Sequence, residues 1–599
     1  MENTIYNKIA NLDFILSIDR HFALFCQRLH GSESDLLKSA ALLCSNRVFR
    51  GDIYLDLNTI SDFNNLYLDE DIENISLPQK DLWIEELKLS SIVGSPGEKK
   101  PLILNEDGHL YLYRYWHYEK IIHKKINQLI EERFEYNREL AQNIIEELFD
   151  IHDNEINYQA LSALMSLQKG ITVISGGPGT GKTTTAIKIL ILLCEDLKSR
   201  GVAPLIKLCA PTGKASTRLI ESIGTGKSNI DYDSAVLEMI PDSASTIHRL
   251  LGAGSVNTHF RFNEENPLNC NILLIDETSM VESSLMANLL SAINRGTRVI
   301  MLGDMHQLTS VGAGSVFSDI CNSGNEIHYS DDFLTENSWL VKSSQIKEKK
   351  EEKKYGDFIV KLQKSYRFND QSGIGMISKA VLQGDADRFF KVLKDSSFKD
   401  VEYYNINEST MKGTLKDMIH SQINKNQSDT YDISNSVMLS PVKKGLWGTE
   451  ILNSLIVKEN KTRPLVAGPI PLYEGMPIII NSNNYSFDLY NGDIAVVIDD
   501  EGEAVAFFKQ NDKTVPLHNL SDYSQAYCLT IHRSQGSEYN SVFLIMPRCR
   551  DSLLTRELLY TAITRAREKV IIISEDSILR KAITGSQKRR SSLGKSMWN

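Results

Sequence analysis

A glycine-rich stretch at residues 174–185 restricts the possible folds more than any other part of this 599-residue chain. Four of its residues stand at the spacing of a phosphate-binding loop: Gly176, Gly181, Lys182 and Thr183. The apolar run 170–175 ahead of it predicts a buried strand, and residues 183–197 behind it predict a helix. We therefore predict an α/β fold built around a nucleotide site, against the alternative of a glycine turn that binds nothing.

The loop is expected to hold the phosphates of ATP together with Mg²⁺. Glycines allow backbone N–H groups to turn toward phosphate oxygens, and the start of the helix adds a positive dipole. Lys182 is expected to reach the β- and γ-phosphates, and Thr183 to coordinate the metal ion. The phosphate-binding residues predicted from the motif are Gly176, Gly177, Pro178, Gly179, Thr180, Gly181, Lys182, Thr183 and Thr184.

Two later apolar runs end in polar residues that would complete such a site. The run 272–275 is followed by Asp276, a predicted Mg²⁺ ligand, and Glu277, which would polarise the attacking water. The run 298–302 leads to Gln307, which can contact the γ-phosphate and report its loss. An ordinary polar loop at a strand end is the alternative for Gln307.

Two arginines in the second half of the chain are candidates for stabilising the transition state. Phosphoryl transfer leaves charge on the γ-phosphate oxygens, and an arginine from a facing domain can neutralise it. We expect Arg367 and Arg565 to do so, against the alternative of two surface residues. Between them, the hydroxyl, imidazole and carboxamide groups within 526–538 could grip a sugar–phosphate backbone.

Composition excludes several other classes of protein. The net charge of −11 argues against a protein that coats nucleic acid non-specifically, although a local basic channel stays possible. The eight cysteines show no C-x-x-C spacing, so neither zinc nor a disulfide framework is predicted. The N-terminus lacks the apolar core of a signal peptide, and no apolar run is long enough to span a bilayer. We predict a cytoplasmic protein without membrane contact.

The pattern along the chain predicts four segments, with a mixed charge run at 346–354 between the two α/β units. They are a mainly helical partner-docking domain at 1–115, a first α/β domain at 116–350, a second α/β domain at 356–590 with a β-barrel insertion at about 460–525, and a tail at 591–599. The basic stretch from Lys588 onward is predicted to be disordered. Three short strands, predicted at 477–480, 494–498 and 504–508 and separated by turn residues, distinguish the second insertion.

Taken in order, the motifs resemble those of superfamily 1 helicases. The forms Pro-Thr-Gly-Lys-Ala at 211–215, Thr-Ile-His-Arg-Leu-Leu-Gly at 246–252 and His-Arg-Ser-Gln-Gly-Ser-Glu at 532–538 resemble the 5′→3′ branch that contains RecD. Residues 101–105 and 110–116 look like the N-terminal domain of the RecD subunit of exodeoxyribonuclease V. The resemblance extends across the whole chain.

This resemblance implies two RecA-like P-loop NTPase domains, with an SH3-like barrel inserted in the second. It implies that Lys182, Glu277, Gln307, Arg367 and Arg565 are catalytic, and that Gln159, Gly536 and Glu538 also bind ATP. By the same resemblance, the DNA-binding residues would be Thr212, Lys214, His248, Thr530 and His532. The stretch between Gly213 and Asn271 would hold the element that splits the duplex, as a small insertion at about 218–265 in the first domain. Residues 491–493 resemble the family's Asn-Gly-Asp turn.

The implied function is that of an ATP-dependent 5′→3′ DNA helicase, the motor subunit of a heterotrimer with RecB-like and RecC-like subunits. Such a complex unwinds and degrades linear duplex DNA in double-strand-break repair, and no nuclease constellation is visible on this chain. The alternatives are a stand-alone 5′→3′ repair helicase and a scaffold with a decayed ATPase, although every ATPase residue is present. An exposed apolar patch on the N-terminal domain would favour the subunit.

Overall fold

Four β-sheets organise the part of the chain that the computed structural model describes. The structure describes residues 4–61, 67, 75, 77–151, 156–253, 260–322, 327–341, 356–368, 372–406, 435–459, 464–466, 471–484, 486–509, 512–587 and 589–598. The charge run at 346–354, which set the predicted boundary between the two α/β units, lies outside these residues.

The N-terminal unit combines helices with a small sheet of strand order β1-β4-β3-β2. Its elements are α1 (Ile5–Ala10), α2 (Ser17–His30), α3 (Asp35–Phe49), β1 (Tyr54–Asp56), α4 (Lys80–Leu89), β2 (Val93–Gly94), β3 (Leu102–Leu104) and β4 (His109–Leu112). The Ser34 hydroxyl caps α3 by accepting from the Leu37 N–H, and the fully buried Leu37 and Trp83 belong to one core. The four helices agree with the prediction of a mainly helical domain.

The first RecA-like unit is a six-stranded parallel sheet of order β10-β5-β9-β8-β6-β7. Its elements are α5 (Tyr113–Glu131), α6 (Arg138–Leu148), α7 (Tyr158–Gln168), β5 (Ile171–Gly176), α8 (Lys182–Ser199), β6 (Ile206–Ala210), α9 (Gly213–Asn229), α10 (Ser234–Leu237), β7 (Ser245–Thr246), α11 (Ile247–Leu250), β8 (Ile272–Ile275), α12 (Ser283–Ser291), β9 (Arg298–Gly303), α13 (Val316–Cys321), α14 (Asp331–Glu336) and β10 (Ile359–Leu362). Helices cover both faces of the sheet, which explains its continuous apolar strands.

Two sequence-based boundaries change in this unit. Strand β10 was assigned to the second unit, which was predicted to begin at 356, but it pairs in parallel with β5. We therefore propose a boundary after Leu362. The predicted insertion at 218–265 is also narrower, because α9 packs on α8 and β7 extends the main sheet. We now place it at about 252–266, of which 254–259 lie outside the described residues.

The second RecA-like unit contains a five-stranded parallel sheet of order β11-β20-β19-β12-β18. Its elements are α15 (Gly373–Gln383), α16 (Ala386–Leu393), β11 (Val401–Asn405), β12 (Ser436–Ser440), α17 (Thr449–Glu459), β18 (Cys528–Thr530), β19 (Tyr539–Met546), α18 (Arg556–Ile563), β20 (Ala566–Ser574) and α19 (Asp576–Thr584). Apolar clusters lie on both faces of this sheet as well. The prediction of two RecA-like units is confirmed.

Between β12 and β18 the chain forms an antiparallel sheet of order β16-β15-β14-β13-β17. Its strands are β13 (Pro477–Ile480), β14 (Ile494–Asp500), β15 (Glu503–Phe508), β16 (Lys513–Pro516) and β17 (Tyr523–Gln525). The predicted strands of the insertion are therefore present and enclose a core of their own. Closure into an SH3-like barrel stays a prediction, because β16 and β17 are the outer strands of the recorded order.

The prediction of a disordered tail was wrong. Residues 593–598 form helix α20, whose Leu593 and Met597 are buried against the first RecA-like unit. The Arg589 guanidinium donates to the carbonyls of Ser310, Gly312 and Gly314 at 2.6, 2.6 and 2.8 Å. The basic residues that suggested a solvated tail are thus used for docking.

Within the described residues, no helix is long and apolar enough to cross a membrane.

Candidate nucleotide-binding site

The glycine-rich loop leaves β5 and enters α8 with the backbone that the motif predicts. Gly179 and Gly181 have φ values of +75° and +81°, a region that side chains disfavour. A Cβ atom on Gly179 would lie 2.3 Å from the Cβ of Arg367, so close packing also requires glycine there. The Lys182 ammonium donates to the carbonyls of Gly176 and Gly177 at 2.6 and 3.2 Å, which holds it over the loop.

Asp276 and Glu277 follow β8 at the same edge of the sheet, and their geometry fits a divalent cation. Glu277 has a φ of +49°, a strained conformation for a residue with a side chain. Burial, together with the charge of Glu277, raises the pKa of Asp276 to about 6. Desolvation and the neighbouring Glu277 both disfavour the negative charge of Asp276, so a cation beside it would stabilise that charge. Mg²⁺ needs few protein ligands, since it keeps waters and binds phosphate oxygens.

The Gln307 loop connects the first unit to the second. The Gln307 side chain donates to Asp304 at 3.2 Å, and the Tyr560 hydroxyl from α18 donates to the same carboxylate at 3.2 Å. One residue further, the Leu308 N–H donates to the Thr561 hydroxyl at 2.9 Å. The predicted sensor therefore lies where the two units touch.

Three guanidinium groups surround the carboxylate of Glu538. Arg367 donates to its Oε1 at 2.7 Å, Arg567 donates to its Oε2 at 3.0 Å, and Arg218 forms an ion pair with Oε1. Burial acts to raise the pKa of Glu538, but Arg218 and Arg367 outweigh it and hold that pKa well below its ordinary value. Burial lowers the pKa of Arg367, whose Nη1 is buried without a hydrogen-bond partner among the described residues. At least this Arg367 nitrogen could therefore donate a hydrogen bond to a bound anion.

Arg565 lies in the wall of the same cleft and is almost fully buried. Its Nε donates to the Thr561 carbonyl at 3.2 Å, and its Nη1 donates to the Ser537 carbonyl at 3.1 Å. Both acceptors belong to the second unit, so the guanidinium is held rigidly by its own domain.

These elements enclose a cleft of about 320 Å³. Its lining includes most of the predicted site: Pro178, Gly179, Thr180, Gly181, Lys182, Thr183, Thr184, Asp276, Glu277, Gln307, Arg367, Gly536, Glu538 and Arg565. Sequence reasoning missed Ala215, Arg218, Ser222 and Arg567, which also line it. The sequence could have indicated two of them, because Arg218 and Ser222 follow Lys214 by four and eight residues and so lie on the same face of a helix. The roles of the lining residues stay predictions.

Three predicted residues lie beside the cleft rather than in its lining. Gly176 and Gly177 present their carbonyls to Lys182. The Gln159 side chain, at the start of α7, donates to the Thr180 carbonyl at 3.2 Å. Gln159 thus contacts the phosphate loop, and its contact with adenine stays a prediction.

The five predicted DNA-binding residues lie at the carboxyl ends of strands in both units. Thr212 and Lys214 follow β6, and His248 follows the parallel neighbour β7. Thr530 ends β18, and His532 starts the short 3₁₀ helix behind it. Burial lowers the pKa of His532, whereas His248 is exposed. Each parallel sheet therefore presents part of the set at its carboxyl edge.

A turn of the inserted sheet packs beside the first of these groups. A Cβ atom on Gly213 would lie 2.8 Å from the Cβ of Tyr490, and the Arg249 guanidinium donates to the Tyr490 hydroxyl at 3.1 Å. The predicted Asn-Gly-Asp turn follows directly, with Gly492 at a φ of +99° and Asp493 accepting from the Tyr490 N–H at 2.7 Å. The insertion thus borders the edge that carries Thr212.

Comparison with known proteins agrees with this architecture. Three protein-family descriptions match: the N-terminal domain of RecBCD enzyme subunit RecD over residues 11–111, an AAA domain over 159–313, and a UvrD-like helicase C-terminal domain over 525–573. The ATP-dependent RecD2 DNA helicase of Deinococcus radiodurans is 27% identical, over 67% of this chain but 46% of its own length.

Two further relatives match this chain from end to end. The RecBCD enzyme subunit RecD of Buchnera aphidicola subsp. Acyrthosiphon pisum is 30% identical over 96% of this chain and 97% of its own length. The RecBCD enzyme subunit RecD of Haemophilus influenzae is 29% identical over 99% of both chains. With two RecA-like units meeting at a phosphate-binding cleft, and with this full-length similarity, the chain belongs to the RecD family.

Proposed function

We propose that this chain is an ATP-dependent 5′→3′ DNA helicase that acts as the motor subunit of an exodeoxyribonuclease V of the RecBCD type. The observation that carries the proposal is the cleft, in which a phosphate loop and carboxylates from one unit face arginines from the other. Relatives named RecBCD enzyme subunit RecD and ATP-dependent RecD2 DNA helicase support it. The polarity follows from the family resemblance.

The cleft residues fit ATP and Mg²⁺. Lys182 and the loop N–H groups would hold the β- and γ-phosphates, and Thr183 with Asp276 would hold the metal ion. Bound Mg²⁺ neutralises charge on the phosphate oxygens. Glu277 would orient and deprotonate the attacking water, while Arg367 and Arg565 would stabilise the charge that develops on the γ-phosphate. Gln307 would then register the loss of that phosphate at the boundary between the units.

Strand movement follows from alternate opening and closing of the cleft. Thr212, Lys214 and His248 grip the strand from the first unit, and Thr530 and His532 grip it from the second. Because these groups contact backbone, the grip is sequence-tolerant. Each ATP cycle changes the distance between the two grips and advances the protein along the strand.

An apolar face on α2 supports a subunit role over the stand-alone alternative. Ile18, Phe25 and Leu29 are 63%, 46% and 48% exposed, and their spacing of seven and four residues places them on one side of the helix. A contiguous apolar stripe of this kind indicates a protein partner. We propose that this face of α2 binds either the RecB-like or the RecC-like subunit of a cytoplasmic complex. The nuclease activity would come from these partner subunits.

The test is co-purification of the tagged chain with its partners, followed by assays on linear duplex DNA. Two large partners and ATP-dependent digestion are expected. A lone chain that unwinds 5′-tailed duplex without degrading it would instead establish the stand-alone helicase.

A Phe25→Asp variant should release the partners while the chain keeps its own strand-dependent ATPase. Leu205→Asp is the matched control, because Leu205 is similarly exposed but lies in the first RecA-like unit. Retention of both partners by Phe25→Asp would contradict the assigned docking face.

A further inference from the structure

Arg218 lies on a helix that runs from the predicted DNA edge to the nucleotide cleft. Helix α9 starts at Gly213, directly after Thr212, whose hydroxyl accepts from the Ala215 N–H at 3.2 Å. Arg218 follows Lys214 by four residues, which places both on one face of the helix. The start of α9 therefore lies beside the predicted path of the strand, and its face with Ala215, Arg218 and Ser222 lines the cleft.

The Arg218 side chain crosses from the first unit to the second. Its Nη1 donates to the Gly536 carbonyl at 3.2 Å, and its Nη2 pairs with Glu538. The partners are well covered, since the side chains of Arg218 and Glu538 are 30% and 9% exposed. An ion pair in such a place is screened far less than a surface pair, so it can transmit the position of one domain to the other.

Glu538 connects this contact to the predicted catalytic arginine. Its Oε1 accepts from Arg218 and also from Arg367, at 2.7 Å in the second case. Both Gly536 and Glu538 lie in the segment that follows the predicted strand-binding residues Thr530 and His532. A shift of α9 would therefore move the carboxylate that holds Arg367, and with it a donor that faces the phosphates.

We propose that Arg218 is a positioning residue that couples strand binding to ATP hydrolysis. The inference rests on the proposed function. A strand held by Thr212 and Lys214 fixes the start of α9, and Arg218 then holds Gly536 and Glu538 in the arrangement that orients Arg367. When no strand fixes the start of α9, the same contact holds Glu538 and Arg367 less firmly, and turnover is slower.

The experiment measures kcat and KM for ATP with and without saturating oligothymidylate, together with oligothymidylate affinity. Arg218→Ala should lower the strand-stimulated kcat about 10-fold more than the unstimulated kcat. Arg218→Lys keeps the charge but has one donor nitrogen in place of the guanidinium fork that reaches both Gly536 and Glu538, so it should retain the stimulation in part. Lys227→Ala is the matched control, since Lys227 ends the same helix and bonds to Ile240 and Asp242 instead.

A second variant keeps the proposal testable if Arg218→Ala does not fold. Glu538→Gln should reduce the stimulation ratio to a similar extent, and combining it with Arg218→Lys should add little, because both act on one contact. An equal fall of both rates in Arg218→Ala, or a loss of strand affinity that accounts for the defect, would overturn the coupling. A wild-type ATPase without any strand stimulation would instead count against the proposed function.

Discussion

The two predicted arginine fingers differ in how they are held at the residue scale. Arg367 forms an ion pair with Glu538, and the ATP phosphates would compete with that carboxylate for the guanidinium. Its Nη1 is buried without a hydrogen-bond partner among the described residues. Arg565 is tied by two backbone carbonyls of its own unit. A rigidly oriented guanidinium suits a group that stabilises a transition state and adds little to ground-state binding.

Arg565→Ala is therefore expected to spare ATP binding and to lower turnover by about 10³-fold or more. Nucleotide titration and steady-state hydrolysis measure the two effects separately. Arg580→Ala is the control in the same unit, because that side chain is half exposed, pairs with Asp387 and does not line the cleft. Loss of ATP binding with normal turnover per bound ATP would argue against the finger role.

Lys182→Gln is expected to abolish hydrolysis and to leave the fold intact. The ammonium contacts two loop carbonyls, so a neutral amide can keep part of the local structure but cannot neutralise phosphate charge. ATPase assays and circular dichroism check both halves of this expectation. Full activity in a correctly folded variant would show that the cleft is not the hydrolytic site.

At the element scale, the C-terminal segment is a connector between units. After α19 the chain returns to the N-terminal unit, where the Ile53 N–H donates to the Arg590 carbonyl at 2.8 Å. The hydroxyls of Ser591 and Ser592 donate to the buried carboxylate of Glu119 on α5. Helix α20 then packs on α5 and α13. This short segment thus connects the second RecA-like unit, where it begins, to the N-terminal unit and the first RecA-like unit by specific polar contacts.

This contact predicts a pH dependence. Burial raises the pKa of Asp319, on α13 beneath the segment, to about 7, with Glu119 adding to the rise while Arg589 opposes it. A carboxyl with a raised folded pKa favours folding while it is protonated, so its contribution is lost between about pH 4 and about pH 7. Stability should therefore decline over this range as the charged carboxylate forms under the segment.

Asp319→Asn should remove that decline and stabilise the protein at pH 8 by on the order of 1 kcal/mol. Thermal unfolding at pH 5 and pH 8, with limited proteolysis of the C-terminal segment, measures it. Asp107→Asn is the control, because Asp107 is an exposed carboxylate that pairs with Lys595 of the same segment. A similar gain in the control, or no gain in Asp319→Asn, would contradict the assignment.

At the scale of the whole molecule, an acidic protein has to bind an acidic strand. With a net charge of −11, association depends on local groups at the sheet edges rather than on overall attraction. The affinity for oligothymidylate should fall roughly 10-fold or more between about 50 and 200 mM salt, because backbone contacts release counterions. Fluorescence anisotropy across a salt series measures the slope, and a flat response would argue against a backbone grip.

Local patterns predicted much of the architecture at this scale. The phosphate loop, the strand before it and the helix behind it are each specified by a few adjacent residues, and the structure places them as expected. The three strands at 477–508 were equally visible, because apolar runs were separated by turn residues. The sheet around β1 was largely missed, since strands of two or three residues carry too little periodicity to detect.

The amino-acid sequence by itself determined the class of the protein, because the chemistry of phosphate binding requires particular residues at short, fixed spacings. Only the tertiary structure decided that β10 belongs to the sheet of the first unit and that the basic C-terminal segment packs on that unit. It also decided that Arg218 forms an ion pair with Glu538. These features depend on residues far apart in the chain, and local propensity carries no information about such contacts. Burial then changes the pKa values of the carboxyl groups and the strength of the ion pairs at these contacts, because both depend on desolvation and on neighbouring charges.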